Sequence, residues 1–262
     1  MEHESWVRMA VFFGVFFMMA VWEVLAPKRE LGYGKKRWPA NVAIVVLDSL
    51  VVRLALPMGA VGAALWADEH QLGFLPMLGL SDIWMVVAGV ILLDFVVYTQ
   101  HILFHRVPLL WRLHQVHHAD RDIDVTTGLR FHPIEILISM GIKISAVVML
   151  GVPVLAVVLF EIILNGMAMF NHSNVRLPRW LDSTIRLLWV TPDVHRVHHS
   201  IIVHETNSNY GFNLVIWDKL FGTYRAQPEK GHDDMVIGLP NLQEAPTQNF
   251  MWMLRLPFQK LK

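Results

Sequence analysis

Apolar positions in this chain gather into long runs separated by short polar stretches. Trp6 to Leu25 is apolar except for Arg8 and Glu23 near its ends. About 20 such residues cross a bilayer as a helix. A signal peptide is the rival reading. The acidic start (Glu2, Glu4) and the lack of a small-residue cleavage site favour a span. Ala40 to Trp66 is a second run, containing Asp48 and Arg53, and Ile83 to Phe104 is a third. Ile134 to Phe170 is a fourth, interrupted at Gly151-Val152-Pro153 into halves of about 17 residues, which reads as a helical hairpin. The pattern predicts an all-α integral membrane bundle of about four transmembrane helices, two spans followed by a span and the hairpin, with a helical cap.

The charges between the runs orient them. Pro27 to Trp38 holds Lys28, Arg29, Lys35, Lys36 and Arg37, and the positive-inside rule puts this loop in the cytoplasm. Ala67 to Gly79 has Asp68 and Glu69 but no Lys or Arg and belongs opposite. The C-terminus then lies on the cytoplasmic side, with His3 and His70 on the other. His232 is expected at the surface. Asp48 and Arg53 are expected to form a buried ion pair or to serve a substrate or metal, and Lys143 to snorkel or face the bundle. The chain reads as one membrane-embedded domain: 1–80 an anchor region, 81–224 the core, and 225–262 a tail with little apolar length.

Composition changes the picture in two ways. Hydrophobic residues make up 54% and charged residues 17%, outside the range of ordinary soluble domains. Lys+Arg and Asp+Glu both total 22, so no basic excess points to nucleic acid. No cysteine is present, which excludes thiolate zinc sites, Cys-ligated iron–sulfur clusters and a cysteine nucleophile.

The 14 histidines carry the chemistry. Three motifs stand out: His101-Ile-Leu-Phe-His105, His114-Gln-Val-His117-His118 and His195-Arg-Val-His198-His199. On a helix, positions i, i+3 and i+4 share a face. Random placement would produce H-x-x-H-H ~0.04 times per chain, and it occurs twice. Imidazole suits iron, copper, nickel and zinc. These motif histidines exceed the four ligands of a structural zinc and suit a dinuclear centre. No H-E-x-x-H occurs, nor the paired Glu-x-x-His of carboxylate-bridged di-iron bundles. His132 and His172 stand where the chain enters and leaves the membrane on the same face, which adds them as metal candidates. His204 lies near the third motif but outside its spacing. Asp94, seven residues before His101, and Asp193, two before His195, are candidates to support the rings from behind. Asp120, Asp122 and Asp124 read as a solvated loop or helix cap.

Taken together, several stretches resemble the fatty acid hydroxylase superfamily and, within it, the sterol desaturase family. They are Asp94-Phe-Val-Val-Tyr-Thr-Gln-His101, His105-Arg-Val-Pro-Leu-Leu-Trp-Arg-Leu-His-Gln-Val-His-His118, Arg130-Phe-His-Pro133, Asn171-His-Ser-Asn174, Thr191-Pro-Asp-Val-His-Arg-Val-His-His-Ser200, Asn209-Tyr-Gly211 and Trp217-Asp-Lys-Leu-Phe-Gly-Thr-Tyr224. They cover Ser81 to Tyr224. Ile102 departs from the arginine common in relatives. The resemblance implies a membrane-bound non-haem di-iron monooxygenase or desaturase. Its ligands would be His101, His105, His114, His117, His118, His195, His198 and His199, with His132 and His172 as further family histidines.

The expected function is therefore O2-dependent hydroxylation or desaturation of a lipid C–H bond, sterol, fatty-acyl or related. Two iron ions are the expected cofactor, and zinc can replace them in purified samples. The chain lacks a G-x-G-x-x-G fingerprint and cysteines, so electrons are expected from a separate reductase through ferredoxin or a cytochrome b5-like carrier. Arg106, Arg112, Arg121, Arg176, Arg179, Arg186 and Arg196 lie on the proposed cytoplasmic face, either to dock an acidic carrier or from positive-inside bias alone. The alternative is a non-enzymatic membrane protein that binds or transports metal. A structural zinc protein is a third reading.

Overall fold

The structure is a computed structural model and describes residues 4–259; His3 and Lys262 lie outside the described residues. Among the described residues every regular element is a helix, and extended backbone pairs only in isolated bridges such as Pro27 with Val175. Helix α1 (Glu4–Leu25) is followed by α2 (Trp38–Ala55), α3 (Gly59–Glu69) and α4 (Asp82–Arg106). Then come α5 (Pro108–His118), α6 (Pro133–Leu150), α7 (Val154–Asn171), α8 (Arg179–Ile185) and α9 (Pro192–His198). Short helical turns complete the chain.

Among the described residues five segments are long and apolar enough to cross a membrane, where the sequence pattern suggests about four. The difference lies in the hairpin, whose two halves are 18 residues each. At 1.5 Å per residue each reaches about 27 Å, close to the hydrocarbon thickness. Gly151 closes α6 with φ +65, and the Gly151 and Val152 amides donate to Val148 and Val147, a motif that stops a helix without orphaning its carbonyls. Phe74 N donates to Met149 O at 3.1 Å, so the 70–81 loop and the hairpin turn share the end opposite the histidine motifs. His70 lies at that end.

The second apolar run is not one helix. Leu56 precedes Pro57, whose ring crowds the helical conformation, and takes φ −132, ψ 62. The chain bends there, and α3 packs on α6 and α7 through Ala60, Ala63 and Ala64, whose small side chains let backbones approach.

Burial is inverted relative to a soluble domain. Leu54 (82% exposed), Met149 (73%) and Phe17 (62%) point outward, while Asp48, Asp94 and Glu161 are buried. An apolar outside and charged inside suit a hydrocarbon solvent. The expected Asp48–Arg53 pair does not form. Five helical residues rotate about 140°, so Arg53 is exposed when Asp48 is buried. Lys143 faces the bundle and donates to Glu161 Oε1 at 3.0 Å.

Over one end of the bundle, residues 108–132 and 172–259 form a polar cap. Buried Arg37 pairs with Asp120, Asp122 and Asp124, which are therefore neither solvated nor a helix cap. Buried Arg130 donates to the Val116 and Thr247 carbonyls and to Asn41. Arg196 is also buried, paired with Asp193, and so cannot dock a carrier. Arg121 lies over Tyr33 and Arg186 pairs with Asp182, whereas Arg106, Arg112, Arg176 and Arg179 are exposed. His232 is not at the open surface; its ring packs 3.7 Å from Asp193.

Candidate metal centre

The ends of α4 and α7 and the short helices α5 and α9 aim the rings. His101 and His105 occupy the last turns of α4, which ends because Val107 precedes Pro108 and is extended. Pro108 begins α5 at its first position, where a missing N–H costs nothing, and α5 presents His114, His117 and His118. Thr191 caps α9 by accepting from Val194 N, and Pro192 again opens the helix. His195, His198 and His199 follow. His172 terminates α7.

The structure brings nine of the ten candidate histidines together, in two adjoining groups. One holds His101, His105, His114, His118 and His198; the other holds His117, His172, His195 and His199. Within each group one nitrogen per ring lies within 4.8 Å of the others, and every member is buried. The groups abut: the His118 and His199 rings stack at 4.6 Å, and His114 and His117 lie 5.3 Å apart. Neither group contains a carboxylate.

The hydrogen bonds indicate what the rings face. His117 Nδ1 lies 3.2 Å from the Arg130 carbonyl and His172 Nδ1 lies 2.7 Å from the Ala168 carbonyl. A carbonyl only accepts, so each Nδ1 carries the hydrogen and each Nε2 a bare lone pair. Yet the two Nε2 atoms approach to 3.1 Å. Burial lowers His117 well below the usual histidine range and His172 to about 3, so a bridging proton is disfavoured. Two lone pairs at this distance repel unless a cation lies before them. His101 repeats the pattern: its Nδ1 donates to Tyr210 O at 2.8 Å while its Nε2 lies 3.2 Å from His114 Nε2. Burial also holds His195, His198 and His199 well below their ordinary range, the neutral form that ligates metal. His118 and His199 have no hydrogen-bond partner on either nitrogen. The rings fit metal cations in both groups.

The remaining candidates lie elsewhere. His132 joins neither group. Its Nδ1 accepts from Ile134 N and caps α6, because Pro133 fixes the helix start just beyond it. His204 is exposed and pairs with Glu229 at 2.6 Å. Asp94 and Asp193 touch none of the nine rings. Asp94 accepts from Trp217 Nε1 at 2.8 Å and Leu214 N at 3.2 Å, tying α4 to the cap. Asp193 pairs with Lys28 and Arg196.

Their supporting role falls to groups the sequence does not advertise. Glu135 Oε1 lies 2.6 Å from His114 Nδ1, although 21 residues separate them. His198 Nδ1 donates to Ser208 O at 2.7 Å. Asp218 accepts from Tyr210 N and Gly211 N, and so steadies the loop whose carbonyl holds His101. A Cβ at Gly128 would fall 2.6 Å from Ala168 O, the acceptor of the His172 ring, so this position demands glycine. In the sequence, Gly211 and Asp218 stand out only as members of the Asn209-Tyr-Gly211 and Trp217-to-Tyr224 stretches.

A cavity of about 350 Å³ enters the bundle beneath the rings, within the size range of small-molecule sites. His101, His114, His117 and His195 line it, with Leu93, Val97, Phe104 and Phe212; farther along lie Asp48, Lys143, Glu161 and Arg8. A second cavity of about 280 Å³ is lined by His105, Trp111, Asn207 and other residues of the cap.

Residues 86–223 match the sequence profile of the family described as fatty acid hydroxylase. The chain is 30% identical to the ornithine lipid hydroxylase OlsE of Rhizobium tropici over 80% of its own length and 58% of that relative's. It is 29% identical to the alkylglycerol monooxygenase of Homo sapiens over 56% of the chain and 32% of the relative. With the cholesterol 25-hydroxylase of Rattus norvegicus it shares 29% identity over 55% of the chain and 47% of the relative. The chain thus spans well under two thirds of these curated relatives. No solved structure matches it.

Proposed function

This chain belongs to the fatty acid hydroxylase family, and on that premise we propose that it is an integral-membrane, non-haem di-iron oxygenase that hydroxylates a lipid. Nine buried neutral imidazoles in two adjoining groups, with lone pairs turned toward one another, carry this reading. His101, His105, His114, His118 and His198 would hold one iron, and His117, His172, His195 and His199 the other. His132 has no part in the proposed set.

Held by these rings, a pair of iron ions would supply the electrons that reduce O2 and the oxidising power needed to break an unactivated C–H bond. The balance is one C–H, one O2, two electrons and two protons giving one C–OH and one water. The chain itself contributes binding, orientation and dryness. The apolar walls around Phe104, Leu93, Val97 and Phe212 exclude water and hold a lipid against the rings. The names of the relatives offer ornithine lipids, alkylglycerols and sterols as substrate types, and favour hydroxylation over desaturation.

Electrons would come from a separate reductase through an acidic carrier of the ferredoxin or cytochrome b5 type. Trp111 is partly exposed, and its ring lies 4.9 Å from His105 and 5.4 Å from His118. Exposed Arg106 and Arg112 flank it in sequence. The histidines, the cap and the C-terminus are proposed to face the cytoplasm, in keeping with the basic 27–38 loop. In this reading residues 1–262 work as one domain.

Anaerobic purification, metal analysis and a reductant-driven O2 assay with membrane lipids test the proposal. Two irons per chain and a lipid heavier by one oxygen are expected. An iron-loaded, reduced protein that consumes no O2 with any lipid extract would overturn it.

A further inference from the structure

Metal-ligating side chains also converge on the surface of the cap, outside both histidine groups. His204, Glu205 and Glu229 each offer a ligand atom, and these atoms lie within 4.8 Å of one another. His204 and Glu205 stand on the helical turn Val203–Thr206, and Glu229 comes from a turn 24 residues after Glu205. The His204 and Glu229 side chains are half exposed, whereas Glu205 is fully buried.

Glu205 distinguishes this cluster from an ordinary surface ion pair. Its Oε1 accepts from Glu229 N at 2.5 Å, but its Oε2 is buried with no hydrogen-bond partner. No Lys or Arg among the described residues pairs with it. The other buried carboxylates of the cap are answered. Asp120, Asp122 and Asp124 share Arg37, and Asp182 has Arg186. Asp218 accepts from Tyr210 N, Gly211 N and Thr223 Oγ1. A buried carboxylate left with one amide is costly unless a cation meets it. His204 as an imidazolium would offset one carboxylate of the two, and Glu229 already holds it at 2.6 Å. A divalent cation beside a neutral imidazole offsets both.

We propose that His204, Glu205 and Glu229 form a site for one divalent transition-metal ion. One imidazole and two carboxylates suit zinc, with water completing the coordination on the open side. Ligand atoms about 2.1 Å from such an ion stand roughly 3.4 Å apart, so the half-exposed pair opens slightly to admit it. The site lies behind the five-ring group. Val203, Thr206 and Asn207 line the cap cavity with His105, and Ser208 O holds His198. An ion there clips the Val203–Thr206 turn to the turn that carries Glu229, and braces the segment that holds His198.

The test titrates Zn2+ into the untagged, iron-loaded full chain in nanodiscs, in competition with a chromophoric chelator. One zinc per chain is expected to bind and to leave on mild chelation with the iron content unchanged. His204→Ala and Glu229→Gln, both at exposed positions, should each weaken zinc at least about tenfold, as should Glu205→Gln. His70→Ala, at another exposed histidine, should leave zinc affinity unchanged. Zinc should slow amide hydrogen exchange across residues 203–210 in the parent chain and not in His204→Ala. No zinc bound beyond the centre overturns the proposal, as does equal zinc affinity in the parent chain, His204→Ala and Glu229→Gln. Zinc lost in those variants with exchange across 203–210 unmoved keeps the site and overturns the brace. The difference between the parent chain and His204→Ala reads this site whatever metal the nine rings hold, so its outcome is separate from that of the oxygenase reading.

Discussion

The two histidine groups share the second and third motifs, draw separately on His101 and His105 or on His172, and are supported differently. In the five-ring group, His114 has the Glu135 carboxylate behind it, and His101 and His198 have the Tyr210 and Ser208 carbonyls. In the four-ring group only carbonyls support the rings, Arg130 O behind His117 and Ala168 O behind His172. A carboxylate makes an imidazole a stronger donor than a carbonyl does. The five-ring group also meets both cavities, through His105 on the cap side and His101 and His114 on the bundle side. The four-ring group meets the bundle cavity, through His117 and His195. The two groups are therefore inequivalent: the five-ring group has a carboxylate behind one ring and meets both cavities, and the four-ring group has carbonyls behind its rings and meets the bundle cavity.

The largest effects come from removing a ring. His198→Ala and His195→Ala should each lower turnover by more than about 100-fold, beyond the usual cost of a supporting residue. Each should also lower metal content by about one ion of the proposed two. Unchanged metal content in both variants would break the division into two sites. Next, Gly128→Ala pushes on the Ala168 carbonyl and should disturb only the four-ring group. A loss of roughly 10–100-fold in activity, with metal lost from one site, is expected by metal analysis and product assay. Glu135→Gln is the counterpart in the five-ring group. It keeps the shape but weakens the support of His114, and a fall of about tenfold in metal affinity is expected from chelator competition. Equal effects of Glu135→Gln on both metals would erase the contrast. The smallest effect on the centre belongs to Asp94→Asn. It should leave metal content intact and cost about 1–3 kcal/mol of stability through the weakened Trp217 and Leu214 bonds, read from thermal unfolding.

Much of the fold was legible because apolar length is a local property. The ends of α1, α4, α6 and α7 follow the hydropathy runs and the Gly151–Pro153 break. The break at Leu56–Pro57 leaves no mark in the hydropathy, because the surrounding residues remain apolar and hydropathy does not register a bend. Carboxylates were harder still. Nearness in sequence points to Asp94 and Asp193 as ring supports, whereas Glu135, remote in sequence from His114, has the contact. His132 sits at the right boundary but turns its nitrogen to the helix start.

By itself the sequence determined the ligand chemistry and the solvent. Helical spacing puts histidines on shared faces, and long apolar runs require a hydrocarbon surround, both of which are consequences of short-range geometry. Only the tertiary structure decided how the nine rings divide into two groups, which acceptors fix their tautomers, and which charges share a cavity. Those depend on distances between residues far apart in the chain, and a pattern of neighbours does not encode them.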